Sequence, residues 1–146
     1  MGRDYSNTPL PKKLGIGESS RVAIVGAPRG FSASIGIKRS ARGATDVIVL
    51  FTTRRAELER RFGALAQRLE PAGGLWVAWP KKSVDTPTDL SFEVVQRIGL
   101  AAGLVDNKSC SIDDTWQALR FVIRREDRPA REAARRSGAR SARPRA

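Results

Sequence analysis

Two apolar runs decide the fold of this chain: Thr45-Asp46-Val47-Ile48-Val49-Leu50-Phe51-Thr52-Thr53, and Leu75-Trp76-Val77-Ala78-Trp79-Pro80-Lys81-Lys82, which follows the turn residues Pro71-Ala72-Gly73-Gly74. Short apolar runs bounded by turn residues are typical of strands that are buried on both faces, as in a parallel sheet covered by helices. Between the two runs, apolar residues recur at helical spacing and leave the charged residues on the opposite face; they are Leu58, Phe62, Leu65, Ala66 and Leu69. The pattern predicts one β-α-β unit.

The same apolar and turn patterns predict further strands and helices before and after this β-α-β unit. Residues 21–26 are typical of a first buried strand, and the short connection to the second strand has room for one small helix near residues 31–35. After the central unit, Asp89 is placed to cap a helix that carries Leu90, Val94, Val95 and Ile98 on one face. Residues 105–112 and 116–124 then predict an antiparallel hairpin, whose polar first strand suits an exposed edge.

The predicted fold is therefore α/β, a small Rossmann-like three-layer sandwich. It has three parallel strands, near residues 21–26, 46–52 and 75–80 in that spatial order, and a C-terminal antiparallel hairpin beyond the third strand. We predict one domain over residues 8–125, because a chain of 146 residues has room for one core. A flexible N-terminus over residues 1–7 precedes it. A disordered Arg/Ala-rich tail over residues 126–146 follows it, because that segment has almost no apolar residue except Ala.

The composition excludes several classes of function. The chain has one Cys and no His, which excludes an intrachain disulfide, a Cys/His zinc site and a His-dependent triad. We therefore expect no metal, no cofactor and no catalytic residue of a recognisable class. No apolar run approaches the roughly 20 residues of a membrane span, and the N-terminus lacks the apolar core of a signal peptide. We expect a cytoplasmic protein without a membrane partner.

Several separated motifs resemble a known family. They are Thr8-Pro9-Leu10-Pro11-Lys12-Lys13-Leu14-Gly15, Val25-Gly26-Ala27-Pro28-Arg29-Gly30-Phe31, Gly74-Leu75-Trp76-Val77-Ala78-Trp79-Pro80-Lys81-Lys82 and Gly103-Leu104-Val105-Asp106. Over about residues 5–125 the chain resembles a bacterial family catalogued as domain of unknown function 3052. The resemblance implies an uncharacterised bacterial protein and brings no established activity. The chain is shorter than the family pattern between Ser32 and Ala44, which puts ligand contacts from that segment in doubt.

The order strand, helix, strand, helix and terminal antiparallel hairpin is also similar to the later half of class I methyltransferases. However, Gly26-Ala27-Pro28-Arg29-Gly30 lacks the G-x-G-x-x-G spacing that lets a backbone approach a pyrophosphate closely. The acidic residue expected about 20 residues later is also missing, because Asp46 lies at the wrong end of its strand. A degenerate S-adenosylmethionine-dependent methyltransferase-like enzyme is therefore the alternative interpretation of this chain.

Basic residues follow each of the three parallel strands, at the edge of the sheet where ligands of open α/β folds bind. Arg54 and Arg55 also begin a helix, where the macrodipole disfavours cations unless an anion is present. The pattern predicts an anion-binding crevice, with a solvated basic rim as the alternative. The predicted residues are Gly26, Arg29, Gly30, Arg54, Arg55, Lys81 and Lys82. A phosphate, a nucleotide and the acidic segment of a partner protein all fit this chemistry.

The C-terminal segment has a second concentration of charge. Residues 124–146 contain nine Arg against three acidic residues, which leaves +6 of the formal net charge of +12. Such a segment binds phosphate backbones without sequence preference and with strong salt sensitivity. We predict weak nonspecific nucleic-acid binding, with codon bias in a GC-rich genome as the alternative origin of the Arg content. The residues concerned are Arg128, Arg131, Arg135, Arg136, Arg140, Arg143 and Arg145.

The remaining reactive or aromatic residues have structural explanations. Trp76 and Trp79 lie in a strand that should be buried, so core packing is favoured over a stacking platform for bases. Asp113 and the following Asp fit a hairpin turn, and Cys110 has no His near it to act as a base. The sequence therefore favours a non-catalytic binding module for an anionic ligand or an acidic partner.

Overall fold

A computed structural model describes the backbone of residues 8–141 and the side chains of residues 8–137. The strands are β1 Val22–Val25, β2 Thr45–Phe51, β3 Leu69–Pro80, β4 Leu104–Ser111 and β5 Trp116–Ile123. The helices are α1 Leu10–Lys13, α2 Phe31–Ser34, α3 Arg55–Gln67, α4 Phe92–Ala101 and α5 Arg128–Ser141. A short 3-10 turn at Arg125–Asp127 precedes α5. The predicted flexible N-terminus, residues 1–7, lies outside the described residues.

The five strands form one mixed sheet in the order β1-β2-β3-β5-β4. β1, β2 and β3 are parallel, and their register pairs Ile24 with Val49 and Val49 with Trp76. β5 runs antiparallel to β3, with Trp76 opposite Arg120, and β4 pairs antiparallel with the outer edge of β5. The α/β class and the predicted spatial order of strands are therefore confirmed, including the hairpin beyond the third strand.

The two faces of the sheet are covered unequally. Alternate residues of β2 and β3 point to opposite sides, since side chains of a strand alternate between its faces. On one side, Ile48 and Leu75 pack with Leu58 and Phe62 of α3 and with Val95 of α4. The opposite side is covered by single-turn helices and connecting chain; its buried residues include Leu14, Ile35, Val47, Val49, Phe51 and Trp76. The second outer layer of the predicted sandwich is thus built mostly without regular helix.

The start of β3 differs from the prediction. Residues 71–74 were expected to form a turn, but they belong to β3, which begins at Leu69. The register shifts here, because Thr45 pairs with Leu69 and Val47 pairs with Gly74. Four residues of β3 therefore lie opposite Asp46 alone. Gly73 permits the close approach, since a Cβ atom there would lie 2.8 Å from the carbonyl oxygen of Asp46.

The start of α4 also differs from the prediction. Ser91 is the N-cap of α4, and its side chain accepts a hydrogen bond of 3.3 Å from the backbone N–H of Val94. Asp89, which the sequence pattern placed at this cap, lies two residues further toward the N-terminus and makes a different contact, described below. Both Ser and Asp are good N-cap residues, so the choice between them depended on where the helix could pack.

The tail prediction is wrong for the described part of residues 126–146, because residues 128–141 form α5. Arg131 Nη1 donates to the carbonyl oxygens of Ala66 at 3.1 Å and Leu69 at 2.7 Å, so α5 lies against the end of α3. The lack of apolar residues predicts disorder, but Ala and Arg are both strong helix formers, which favours a helix here. Residues 142–146 lie outside the described residues.

No helix in the described part of the chain is long and apolar enough to cross a membrane. Likewise, residues 8–141 contain no group of three or more His, Cys, Asp or Glu residues that could hold a metal ion.

Candidate anion-binding site

The turn after β1 is shaped by contact with the neighbouring strand. Gly26 has a φ of +71°, and a Cβ atom there would lie 2.6 Å from the carbonyl oxygen of Phe51 at the end of β2. Gly30 has a φ of +85° and is the N-cap of α2. Both conformations favour glycine, since residues with a Cβ atom rarely adopt positive φ. The two predicted glycines therefore have a structural role in the turn.

The N-terminus of α3 is capped by a carboxylate from another part of the chain. Asp89 Oδ1 accepts a hydrogen bond of 2.6 Å from the backbone N–H of Arg55. A carboxylate at this position offsets the unfavourable placement of Arg54 and Arg55 in the first turn. The two arginines predict an anion at this helix start, and the Asp89 carboxylate lies in that position. One backbone donor that a ligand would need is thus occupied.

The loop that carries Asp89 is hydrogen-bonded to the residues that follow β2. Thr88 Oγ1 donates to the carbonyl oxygen of Thr53 at 2.7 Å and accepts from the backbone N–H of Leu90 at 3.1 Å. Leu90 is buried and belongs to the core under α3 and α4. These contacts hold the loop over the start of α3.

The Arg side chains at this helix start face solvent. Arg55 Nε lies 3.3 Å from Glu59 Oε2 in an i,i+4 ion pair whose side chains are both about half exposed. Exposed pairs of this kind contribute little to stability. Arg54 is exposed as well. Neither Arg lines the two cavities at the carboxyl ends of the strands described next.

Lys81 and Lys82 lie in one cavity of about 700 Å³ at the carboxyl end of β3, which we term the β3-end cavity. Its other polar walls come from the loop after β3, from the start of α4 and from the hairpin, and they include Ser83, Ser91, Glu93, Ser109, Ser111 and Gln117. Lys81 Nζ donates to Ser111 Oγ at 2.6 Å, which holds its ammonium group beside the hairpin. Lys82 is exposed. Two cations and several hydroxyl groups thus face the same space.

Gly30 lines a different cavity, of about 710 Å³, which we term the β1-end cavity. Its walls are mostly apolar or small, and Lys38 is the one charged residue in its lining; the others are Ile24, Ala27, Pro28, Ser32, Ala33, Gly36 and Ile37. Arg29 and Gly26 are in the lining of neither cavity. Of the seven predicted residues, Lys81 and Lys82 thus share the β3-end cavity, and Gly30 lines the β1-end cavity.

A third basic region lies along the outer edge of β1. Its cavity of about 1060 Å³ is lined by Arg21, Arg39 and Arg42 together with Ser20, Val22, Ser40 and Ala41. The segment covers the strand edge, because Ala41 N–H donates to the carbonyl oxygen of Val22 at 2.7 Å and Ser40 Oγ accepts from Ile24 N–H at 3.0 Å. The guanidinium group of Arg21 donates hydrogen bonds to the carbonyl oxygens of Ala44 and Arg42. This region was not among the predicted sites, although Lys38-Arg39-Ser40-Ala41-Arg42 is a charge cluster in the sequence.

The structural explanations for the aromatic residues are confirmed. Trp76 is fully buried, and its Nε1 donates to the carbonyl oxygen of Leu14 at 3.0 Å. Trp79 is 2% exposed. Trp116 packs edge-to-face against Phe51 with ring centroids 5.1 Å apart. These indoles are committed to packing and do not form an open stacking surface.

Asp113 and Cys110 also have structural and not catalytic roles. Asp113 Oδ1 accepts from the backbone N–H groups of Thr115 and Trp116, both at 2.8 Å, which is ordinary turn chemistry. Cys110 lines the β3-end cavity and is half-buried. Burial raises the pKa of its thiol, against the opposing charges of Lys13 and Lys108. A protonated thiol is a poor nucleophile.

The predicted tail arginines divide into two groups. Arg128 Nε donates to the carbonyl oxygen of Ile123 at 3.2 Å, and Arg135 Nη2 donates to those of Gln67 and Leu69 at 2.7 and 2.8 Å. Arg135 Nε also lies 3.2 Å from Glu70 Oε1. With Arg131, these residues attach α5 to the domain. Arg136 is exposed, whereas the side chains of Arg140, Arg143 and Arg145 lie outside the described residues.

Comparison with known proteins identifies the fold only. No family model and no curated protein matches the chain, so the resemblance to family 3052 remains a prediction. Among solved structures, the mitomycin 7-O-methyltransferase MmcR aligns with a TM-score of 0.56 at 10% identity, over 71% of this chain and 49% of that one. The chain thus spans about half the length of that enzyme. The antibiotic-resistance methyltransferase Kmr aligns with a TM-score of 0.44 at 15% identity, over 84% of this chain and 95% of that one. The chain therefore has a Rossmann-like fold of the type found in MmcR.

Proposed function

We propose that this protein is a non-catalytic binding module whose ligand is anionic and binds in the β3-end cavity. The observation that carries the proposal is the convergence of Lys81 and Lys82 with the hydroxyls of Ser109 and Ser111 in one cavity at the carboxyl end of β3. Ligands of open α/β sheets bind at this edge. The charged residues of the lining are two Lys and Glu93, so the cavity favours an anion.

The proposal is narrower than the crevice predicted from the sequence. Arg54 and Arg55 are placed outside the cavity, and Asp89 already occupies a donor at their helix start. Lys82 has the more available ammonium group, because Lys81 Nζ is engaged by Ser111 Oγ. Lys82 is therefore the residue whose loss should affect binding most directly.

A thermal-shift titration with inorganic phosphate, citrate and phosphorylated metabolites tests the proposal. We expect the wild type to be stabilised by at least one anion, and we expect Lys82→Ala to weaken that response. Arg54→Ala is the matched control, because it also removes an exposed cation at the same edge of the sheet but outside the cavity. If no anion stabilises the wild type, or if both variants respond like the wild type, the proposal is wrong and the cavity has only a solvated basic rim.

The alternative function is a degenerate methyltransferase-like enzyme. The fold likeness to MmcR supports it, and so does the position of the β1-end cavity at the turn after the first strand. The turn itself argues against it, because it lacks the glycine spacing of a dinucleotide fold and the cavity has no acidic residue in its lining. Calorimetric titration with S-adenosylmethionine separates the two functions. Tight binding would favour the enzyme, and absence of binding would leave the binding module.

We further propose weak nonspecific nucleic-acid binding through α5 and the residues that follow it. The exposed Arg136 supports this, together with Arg140, Arg143 and Arg145 of the same segment. Three of the seven predicted arginines are engaged by the domain, which lowers the expected affinity. Fluorescence anisotropy with a labelled DNA oligonucleotide should show binding that falls steeply with salt and weakens when residues 136–146 are deleted. Equal binding by both proteins would place the interaction on the domain, where Arg39 and Arg42 are candidates.

A further inference from the structure

An exposed aromatic ring lines the β3-end cavity. Phe92 is 43% exposed, and the other large apolar residue exposed to this extent among the described residues is Leu100, at 40%. Both residues belong to α4, but only Phe92 is part of the cavity wall. Phenylalanine is usually buried, so an exposed ring inside a cavity is more informative than an exposed apolar residue elsewhere.

The position of Phe92 is determined by the start of α4. Phe92 is the first residue of the helix and follows the N-cap Ser91, whose side chain accepts the N–H of Val94. Val95, one turn further on, is fully buried against the core and anchors the helix. The cap and the anchor hold the backbone of Phe92 in place, so its ring remains at the cavity wall instead of entering the core.

The size of the cavity indicates a ligand larger than a simple anion. Ligand cavities in proteins are typically about 300–1,000 Å³, and they combine apolar walls with a few polar groups. The β3-end cavity, at about 700 Å³, lies within this range. A single phosphate ion at the Lys81 and Lys82 end would leave the Phe92 wall uncontacted.

We propose that the anionic ligand of this cavity is a nucleoside phosphate. Its phosphate lies at Lys81 and Lys82, its base stacks on Phe92, and Glu93 is placed in the same lining to accept hydrogen bonds from hydroxyl or amino groups of the ligand. Aromatic rings stack on bases without regard to base identity, so the proposal covers the class and not one base. The inference rests on the proposed function, because it requires the anion to bind in this cavity.

The test compares adenosine 5′-monophosphate, ribose 5-phosphate and inorganic phosphate by calorimetry against the wild type, Phe92→Ala and Leu100→Ala. Stacking on an aromatic side chain is worth about 1–3 kcal/mol per base, so adenosine 5′-monophosphate should bind the wild type about 5- to 150-fold more tightly than ribose 5-phosphate. Phe92→Ala should abolish this difference, while Phe92→Tyr, which keeps the ring, should retain it. Leu100→Ala removes an equally exposed apolar residue of the same helix outside the cavity, and it should retain the difference as well.

The outcomes separate the two proposals. Equal affinity of the wild type for adenosine 5′-monophosphate and ribose 5-phosphate overturns the nucleoside inference but leaves the anion site standing. Loss of the difference in Leu100→Ala, or its persistence in Phe92→Ala, also overturns the inference, because the base would then not be on Phe92. If none of the three compounds binds the wild type, the nucleoside inference fails. The proposed function fails with it only when the thermal-shift titration also finds no anion that stabilises the wild type.

Discussion

Asp89 Oδ1 accepts a hydrogen bond of 2.6 Å from the backbone N–H of Arg55, a residue 34 positions earlier in the chain. A loop carboxylate thus caps a helix to which it does not belong. The contact joins the two helices on one face of the sheet, since Asp89 lies just before α4 and Arg55 begins α3. It also explains how two consecutive arginines can stand at a helix N-terminus, where positive charge is otherwise disfavoured.

Replacement of this cap should destabilise the domain. We expect Asp89→Ala to lower the free energy of unfolding by about 1 kcal/mol, because N-cap side chains contribute about this much and the carboxylate also interacts favourably with the helix dipole. Urea denaturation measures the change. Asp85→Ala is the control, since Asp85 is an exposed acidic residue of the same loop. Equal stability of the two variants would show that the capping contact contributes nothing.

Two helical glycines should respond oppositely to the same substitution. A Cβ atom on Gly99 of α4 would overlap the ring of Phe121, so we expect Gly99→Ala to destabilise the domain by about 1–3 kcal/mol or more. A Cβ atom on Gly63 of α3 would meet nothing within 4 Å beyond the adjoining residues of its own helix, so Gly63→Ala should stabilise the domain by about 0.4–1 kcal/mol. Thermal unfolding of both variants checks the sign of each change. A stabilising Gly99→Ala would mean that α4 does not lie against β5 as described.

The C-terminal helix should contribute to stability. Arg131 Nη1 donates to the carbonyl oxygen of Ala66 in the last turn of α3 and to that of Leu69 at the start of β3. We expect Arg131→Ala to lower the free energy of unfolding by about 1–2 kcal/mol, because charged hydrogen bonds to partly buried groups are lost. Arg136→Ala, at an exposed position of the same helix, should have little effect. Chemical denaturation that shows no difference between the two would restore the expectation that this segment is independent of the domain.

The thiol of Cys110 should react slowly near neutral pH. Burial raises its pKa above the ordinary value of 9.0, so little thiolate is present at pH 7–8. We expect iodoacetamide to modify the folded protein more slowly than the urea-unfolded protein, with the rate still rising above pH 9. Since the folded-state pKa is raised, the contribution to stability is fully present below the unfolded-state pKa and is lost as the pH rises through the folded-state value. Equal rates in folded and unfolded protein would contradict this prediction.

Much of the fold was predictable because its signals are local. The apolar runs of β2 and β3 are continuous, and strands buried on both faces require such runs. Helix α3 has its apolar residues at helical spacing, so its face toward the sheet was also visible. The position of β5 beside β3 was also predictable, because the polar residues of β4 suit the exposed edge of the hairpin. The beginning of β3 was missed because its bulge opposite Asp46 depends on the neighbouring strand.

The candidate site was predictable only in part. Lys81 and Lys82 follow a strand directly, so their position at the edge of the sheet is a consequence of sequence order. Ser109 and Ser111 reach the same cavity because β4 folds back beside β5, and Phe92 reaches it because α4 begins there. No spacing in the sequence connects these residues to Lys82.

By itself, the sequence determined the α/β class, the order of the parallel strands and the basic character of the sheet edge, because hydrophobic periodicity and charge are properties of neighbouring residues. Only the tertiary structure decided which distant residues meet. Asp89 reaches Arg55, Arg131 reaches Ala66, and Lys82 shares a cavity with Phe92. Asp89 and Arg131 make contacts across 34 and 65 positions of the chain. Such contacts depend on how packed elements are oriented, which local patterns of residues do not encode.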